Sequence, residues 1–259
     1  MKWRPIISFV ALTMAVVGCG DDGTDGSGGT AGGGGTAGSG GTAGSGGTAG
    51  SGGTAGSGGG TATVSGIVYS AVLEGVSPTV AGATVQVVGG QSTTSDANGA
   101  FSLEAPLGTA MFLTTAPNAW GELFTADVPA EGEDMAEPEV IPDTLVAVIA
   151  AALEETIDPG KGIVSVEFDS QVATGGEAAE LTANYGFAFV IDDAGDPVPG
   201  KTLVAGGETV VIFGNVDLTE DVGPSATGPG SGTCSLAFPS TAFPSQAKVF
   251  TVVEVAPCP

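Results

Sequence analysis

The residues able to do chemistry are few in this chain, and their types narrow the options quickly. There is no histidine among the 259 residues. That removes Ser-His-Asp and Cys-His catalysis, His-ligated zinc, and the usual acid-base group near neutral pH. Three thiols remain, Cys19, Cys234 and Cys258, beside 29 Asp and Glu residues. Asp192, Asp193 and Asp196 form the tightest carboxylate cluster, of a type that a hard cation such as calcium accepts. The cluster lacks the longer ligand series and distal Glu of an EF-hand. A solvated Asp/Gly turn explains it more simply, so no metal or cofactor is expected. A carboxylate-only glycosidase stays formally open, since it needs two acidic groups facing across a cleft. Aromatics to line such a cleft make up only 6% of the chain.

Cys19 has the most telling context. Lys2 and Arg4 precede an apolar stretch over residues 6–18, and Gly18 stands directly before the thiol. A basic start, an apolar run and a small residue form the layout of a secretory signal. The run is too short for a bilayer-spanning helix, which needs about 20 residues. The segment Val16-Val17-Gly18-Cys19 resembles the lipobox of bacterial lipoproteins. The resemblance implies that Cys19 becomes the first mature residue and carries the lipid. It also implies that the chain is exported and anchored to a membrane of the cell envelope, at the outer membrane or cell surface. Export places Cys234 and Cys258 in oxidising surroundings, where they are expected to form a disulfide. Two free thiols or a metal pair are the alternatives, the latter short of co-ligands.

Residues 20–60 read as a tether. The unit Gly-Gly-Thr-Ala-Gly-Ser recurs from Gly34 to Gly58. Such a stretch has nothing to bury and is expected to stay disordered, with an end-to-end distance of ~35 Å. Once residues 1–18 are removed, Lys161, Lys201 and Lys248 stand against all 29 acidic residues, a net charge of −26. No basic footprint exists for nucleic acid, and protein charge gives no attraction to anionic headgroups.

From Thr61 the pattern turns to period two between Gly, Pro, Asn and Asp punctuation, the signal of half-buried antiparallel strands. Val64/Gly66/Val68, Ala83/Val85/Val87, Phe101/Leu103 and Met111/Leu113 each share a side. Asn98-Gly99 predicts a tight hairpin turn. The series Val64-Ser65-Gly66-Ile67-Val68, Val80 to Val85, Thr94 to Leu103 and Pro106-Leu107-Gly108-Thr109 resembles the carboxypeptidase regulatory-like module. That family is a small transthyretin-like (prealbumin-like) sandwich without catalytic residues, and its members act as spacers, folding partners or adhesive units. Asn118-Ala119-Trp120 departs from the family pattern near the end of the module.

The sequence therefore predicts a mainly β protein: two small antiparallel β-sandwiches joined by an acidic connector and one short helix. The expected divisions are a signal peptide at 1–18, lipid-bearing Cys19 and tether at 19–60, the regulatory-like sandwich at 61–129, a connector at 130–161, and a second sandwich at 162–259. Within the connector, Asp143 is expected to cap a helix over residues 144–157, ended by Pro159-Gly160. The expected role is a membrane-anchored, non-catalytic structural, adhesive or binding module. The alternative is a carbohydrate-binding accessory protein with Trp120, Tyr185 or Phe residues as platform; a carboxylate-only hydrolase ranks below it.

Overall fold

Strands dominate because β-branched and aromatic residues alternate with small polar ones along most of the chain. The computed structural model describes residues 60–72, 76–170, 173–239 and 241–258. The expected signal peptide, Cys19 and the tether up to residue 59 lie outside them. The first strands are β1 (Thr61–Ile67), β2 (Tyr69–Ser70), β3 (Thr84–Val87), β4 (Ser92–Thr94), β5 (Ala100–Pro106), β6 (Gly108–Thr115) and β7 (Ala119–Val128). Next come β8 (Glu133–Ala136), β9 (Glu139–Pro142) and the helix α1 (Asp143–Ala152). The chain continues with β10 (Gly162–Phe168), β11 (Ala178–Leu181), β12 (Phe187–Ile191), β13 (Pro197–Pro199) and β14 (Val210–Val216). It ends with β15 (Pro224–Thr227), β16 (Thr233–Cys234) and β17 (Val249–Val255).

The mainly β class with one short helix holds. The main sheet runs β13-β12-β14-β10-β17-β7-β6-β3-β4. Its centre departs from the antiparallel pattern. β17 pairs in parallel with β10 on one side and with β7 on the other. Parallel strands covered on both faces are rich in apolar residues, and Val249 to Val255 is apolar at every position except Thr251 and Glu254. This pairing carries one continuous sheet from the 61–129 segment into the 162–258 segment.

Two smaller sheets cover the main one. The first has the order β5-β1-β8 and the second β11-β15-β16. One core joins Val64, Phe101 and Leu103 of the first small sheet to Phe112, Trp120, Phe124, Phe250 and Val252 of the main sheet. Phe112 and Phe124 stack there with ring centroids 5.3 Å apart. The second core joins Leu181 and Ala226 to Val164, Val166, Phe213, Val253 and Val255. Adjacent residues of β17 thus enter different cores, Val252 one and Val253 the other, as strand alternation dictates.

Three local expectations change. The tight turn at Asp96–Gly99 forms, with Asp96 Oδ1 accepting from the Asn98 and Ala100 amides at 2.8 and 3.0 Å. It does not close a hairpin of paired strands: β4 pairs β3, whereas β5 pairs β1, so the chain changes sheets at this turn. Asp143 does not cap the helix. It is the first helical residue, preceded by Pro142, and its carboxylate accepts from Lys248 Nζ at 2.9 Å. The helix stops at Ala152 because Glu154 takes a left-handed conformation, φ 56°, ahead of the Pro-Gly signal. Finally, the acidic connector contains β8 and β9, whose pairing with β1, β2 and β7 no local pattern announces. Gly66 permits the β8 contact: a Cβ there would lie 1.8 Å from the Ala136 carbonyl oxygen.

Candidate functional site

A Glu residue embedded in an apolar strand faces either solvent or the core, and on the covered face of the main sheet four face the core side. They are Glu122 on β7, Glu139 on β9, Glu167 on β10 and Glu254 on β17. Glu167 stands directly opposite Glu254 in the parallel register. Glu122 and Glu139 are 4% and 5% exposed. The Glu139 backbone amide donates to Glu122 Oε2 at 2.7 Å, tying β9 to β7. Ser77 Oγ lies 3.4 Å from Glu139 Oε1, while Glu139 Oε2 is buried without a hydrogen-bond partner.

Burial sets the protonation of this group, because a charged carboxylate is poorly solvated there. Desolvation pushes Glu139 up to about 7, with the Ser77 hydroxyl opposing and Glu137 adding repulsion. It pushes Glu167 up to about 8, reinforced by the Glu254 charge. Glu122 is raised well above its ordinary value by the same cause, against the stabilising amide of Glu139. Glu254 is raised by burial as well. The three described lysines lie elsewhere, paired with Asp217, Glu180 and Asp143. These pairs are partly exposed, and such pairs contribute little to stability.

The residues singled out from sequence fall in separate places. Cys234 and Cys258 form the expected disulfide, 24 residues apart in sequence. Chain-entropy arithmetic for such a loop gives about 3.5 kcal/mol. Reduction, or a Cys234→Ala/Cys258→Ala double variant, should lower the urea midpoint accordingly, as read by circular dichroism.

Asp192, Asp193 and Asp196 make the β12–β13 turn. Asp192 Oδ1 accepts the Ala194 and Asp196 amides, each at 2.9 Å, so backbone donors use this carboxylate. Among the described residues no group of three or more potential ligands is placed to hold a metal ion.

Trp120 is 3% exposed and belongs to the first core, which withdraws it as a sugar platform. Tyr185 Oη donates to Glu180 Oε1 at 2.7 Å, and its ring meets Phe213 edge-on at 4.9 Å. Trp120 thus offers no free aromatic face of the kind glycans stack on, and Lys201 Nζ stands 5.9 Å from the centre of the half-buried Tyr185 ring.

A cleft of about 170 Å³ opens beside the disulfide, with Glu177, Asp169 and Thr174 on its wall. Glu177 Oε1 accepts from the Thr174 amide at 2.9 Å. The glutamate cluster escaped sequence reasoning, although a partial signal exists: Glu167 and Glu254 each stand between apolar strand residues, as in Val252-Val253-Glu254-Val255. Among the described residues no helix is long and apolar enough to cross a membrane.

No family model matches this sequence, and no curated protein matches it either. Solved structures do align. The shaft pilin spaA from Lactobacillus rhamnosus GG aligns over 76% of this chain and 98% of its own, at 11% identity and a TM-score of 0.26. BcpA, the major pilin subunit of Bacillus cereus, aligns over 75% and 69%, at 13% identity and a TM-score of 0.22. The Bacillus anthracis TIE protein aligns over 75% of this chain, at 12% identity and a TM-score of 0.24. This chain spans 33% of the length of that protein.

Proposed function

We propose that this chain is an exported lipoprotein, anchored to the cell envelope through Cys19, that presents a non-catalytic β body on a flexible Gly-rich leash. The carrying observation is Cys19 itself, placed after an apolar signal stretch and before a tether of one repeated hexamer. Two or more acyl chains on that residue give stable membrane attachment, at ~0.8 kcal/mol per buried CH₂. The body then serves as a spacer or an adhesive and binding unit, as the resemblance to the regulatory-like module implies. A catalytic role has little support: histidine is absent, and the buried glutamates share a covered sheet face rather than an open cleft. The outer membrane or cell surface is the proposed address, and nucleic acid is not a proposed partner.

The test is direct. In the native host the protein should partition with membranes, and mass spectrometry should find residue 19 amino-terminal and acylated. Cys19→Ser should move most of the protein to the soluble exported fraction, or leave it uncleaved. A wild-type chain retaining residues 1–18 with an unmodified thiol would overturn the reading.

A further inference from the structure

Four carboxyls share one covered sheet face, and no described basic side chain faces them. Their strands differ greatly in how firmly they are held. β7, β10 and β17 each pair with strands on both sides in the main sheet. β9 is four residues long and pairs over two residues with β2 and two with β7. Short elements with few backbone partners open at the lowest free energy. Glu139 is therefore the member of the cluster on the element most easily released.

We infer that the glutamate cluster is a proton-operated latch: protonated carboxyls seat β9 and α1 on the sheet, and ionisation loosens them. The groups facing Glu139 come from every neighbouring element. β7 supplies Glu122 and β10 supplies Glu167, which in turn has Glu254 of β17 opposite it in the register. Glu137 precedes β9, and Tyr69 of β2 lies opposite Glu139 in the register. At the start of α1, Asp143 is neutralised by Lys248. Every other carboxyl in the set adds negative charge when it ionises. The unpartnered Glu139 Oε2 has no donor to stabilise that charge. Opening carries Glu139 into water, where its charge is solvated. The apolar side chains Val140 and Ile141, 2% and 5% exposed, oppose release and keep the latch closed in acid.

Amide hydrogen exchange on the full chain, corrected for intrinsic base catalysis, tests this. Between pH 5 and pH 8, protection of the Glu139 and Ile141 amides should fall on the order of 100-fold, and at every pH it should stay below that of Ile212 and Phe213 in β14, because β9 opens without the rest of the sheet. Glu139→Gln keeps the side-chain shape and the backbone amide, and should remove most of that fall. Should that variant not fold, Glu167→Gln serves instead and should shrink the fall by relieving repulsion. Equal protection of β9 and β14 at every pH, or a β9 profile that is flat with pH, would overturn the latch. So would a steep β9 profile unchanged by either folded variant.

Discussion

Raising the pH from 5 to 8 should lower the unfolding free energy of this protein by on the order of 4 kcal/mol. The direction follows from where the protons sit. Glu139 and Glu167 are raised from 4.5 to about 7 and about 8 in the fold, so the native state holds protons that the unfolded chain has already released. The stabilising effect is complete below pH ~4.5, the unfolded value. It is lost as pH rises through the native values, at about 1.4 kcal/mol per pH unit for each group. Glu139 is buried and Glu167 partly exposed, so Glu139 carries the greater weight. Glu122 and Glu254 shift the same way. The net charge of −24 adds general repulsion that also grows with pH. On the acid side, Asp217 is lowered by its hydrogen bond from Lys161, but the pair is exposed and its loss below pH 4 should barely register. Urea titrations at half-unit pH steps check the profile. A maximum near pH 7, as for proteins whose carboxylates are paired, would contradict it. Glu167→Gln should raise stability at pH 8 and flatten the slope.

Val253→Asp should cost about 4 kcal/mol or more and should unfold both halves of the chain together. Val253 is 0% exposed in the second core, where no basic side chain is available to pair with a new carboxylate. Its strand is the seam. β17 hydrogen-bonds to β10 on one side and β7 on the other, and its two faces feed different cores. Disturbing it from the second core thus removes support from the first. Trp120, the one tryptophan beyond residues 1–18, sits in that first core and reports it by fluorescence. Far-UV circular dichroism reports the strands as a whole. The two transitions should coincide and shift together in the variant. A Trp120 transition that stays at the wild-type denaturant concentration would show that the 61–129 segment stands alone.

Much of this architecture was legible in the chain. Alternation such as Val64-Ser65-Gly66 and Phe101-Ser102-Leu103 fixes strand and face, because a pleated backbone sends successive side chains to opposite sides. Asp96 and Asp192 marked real turns, since a short carboxylate satisfies amides two and four residues on. β8 and β9 were not legible. Each is four residues long inside a Glu- and Pro-rich stretch, and each gains its pairing from strands more than twelve residues away.

The buried glutamates show the same division. Sequence by itself determined that the chain is mainly β and built on alternating faces, with no histidine chemistry, because those follow from residue types and local spacing. Tertiary structure alone decided that β17 would enter between β10 and β7, and that Glu122, Glu139, Glu167 and Glu254 would meet on one covered face. Strand alternation says that a Glu points up or down. Only the pairing of distant strands says what lies above it, and that covering is what keeps the proton on.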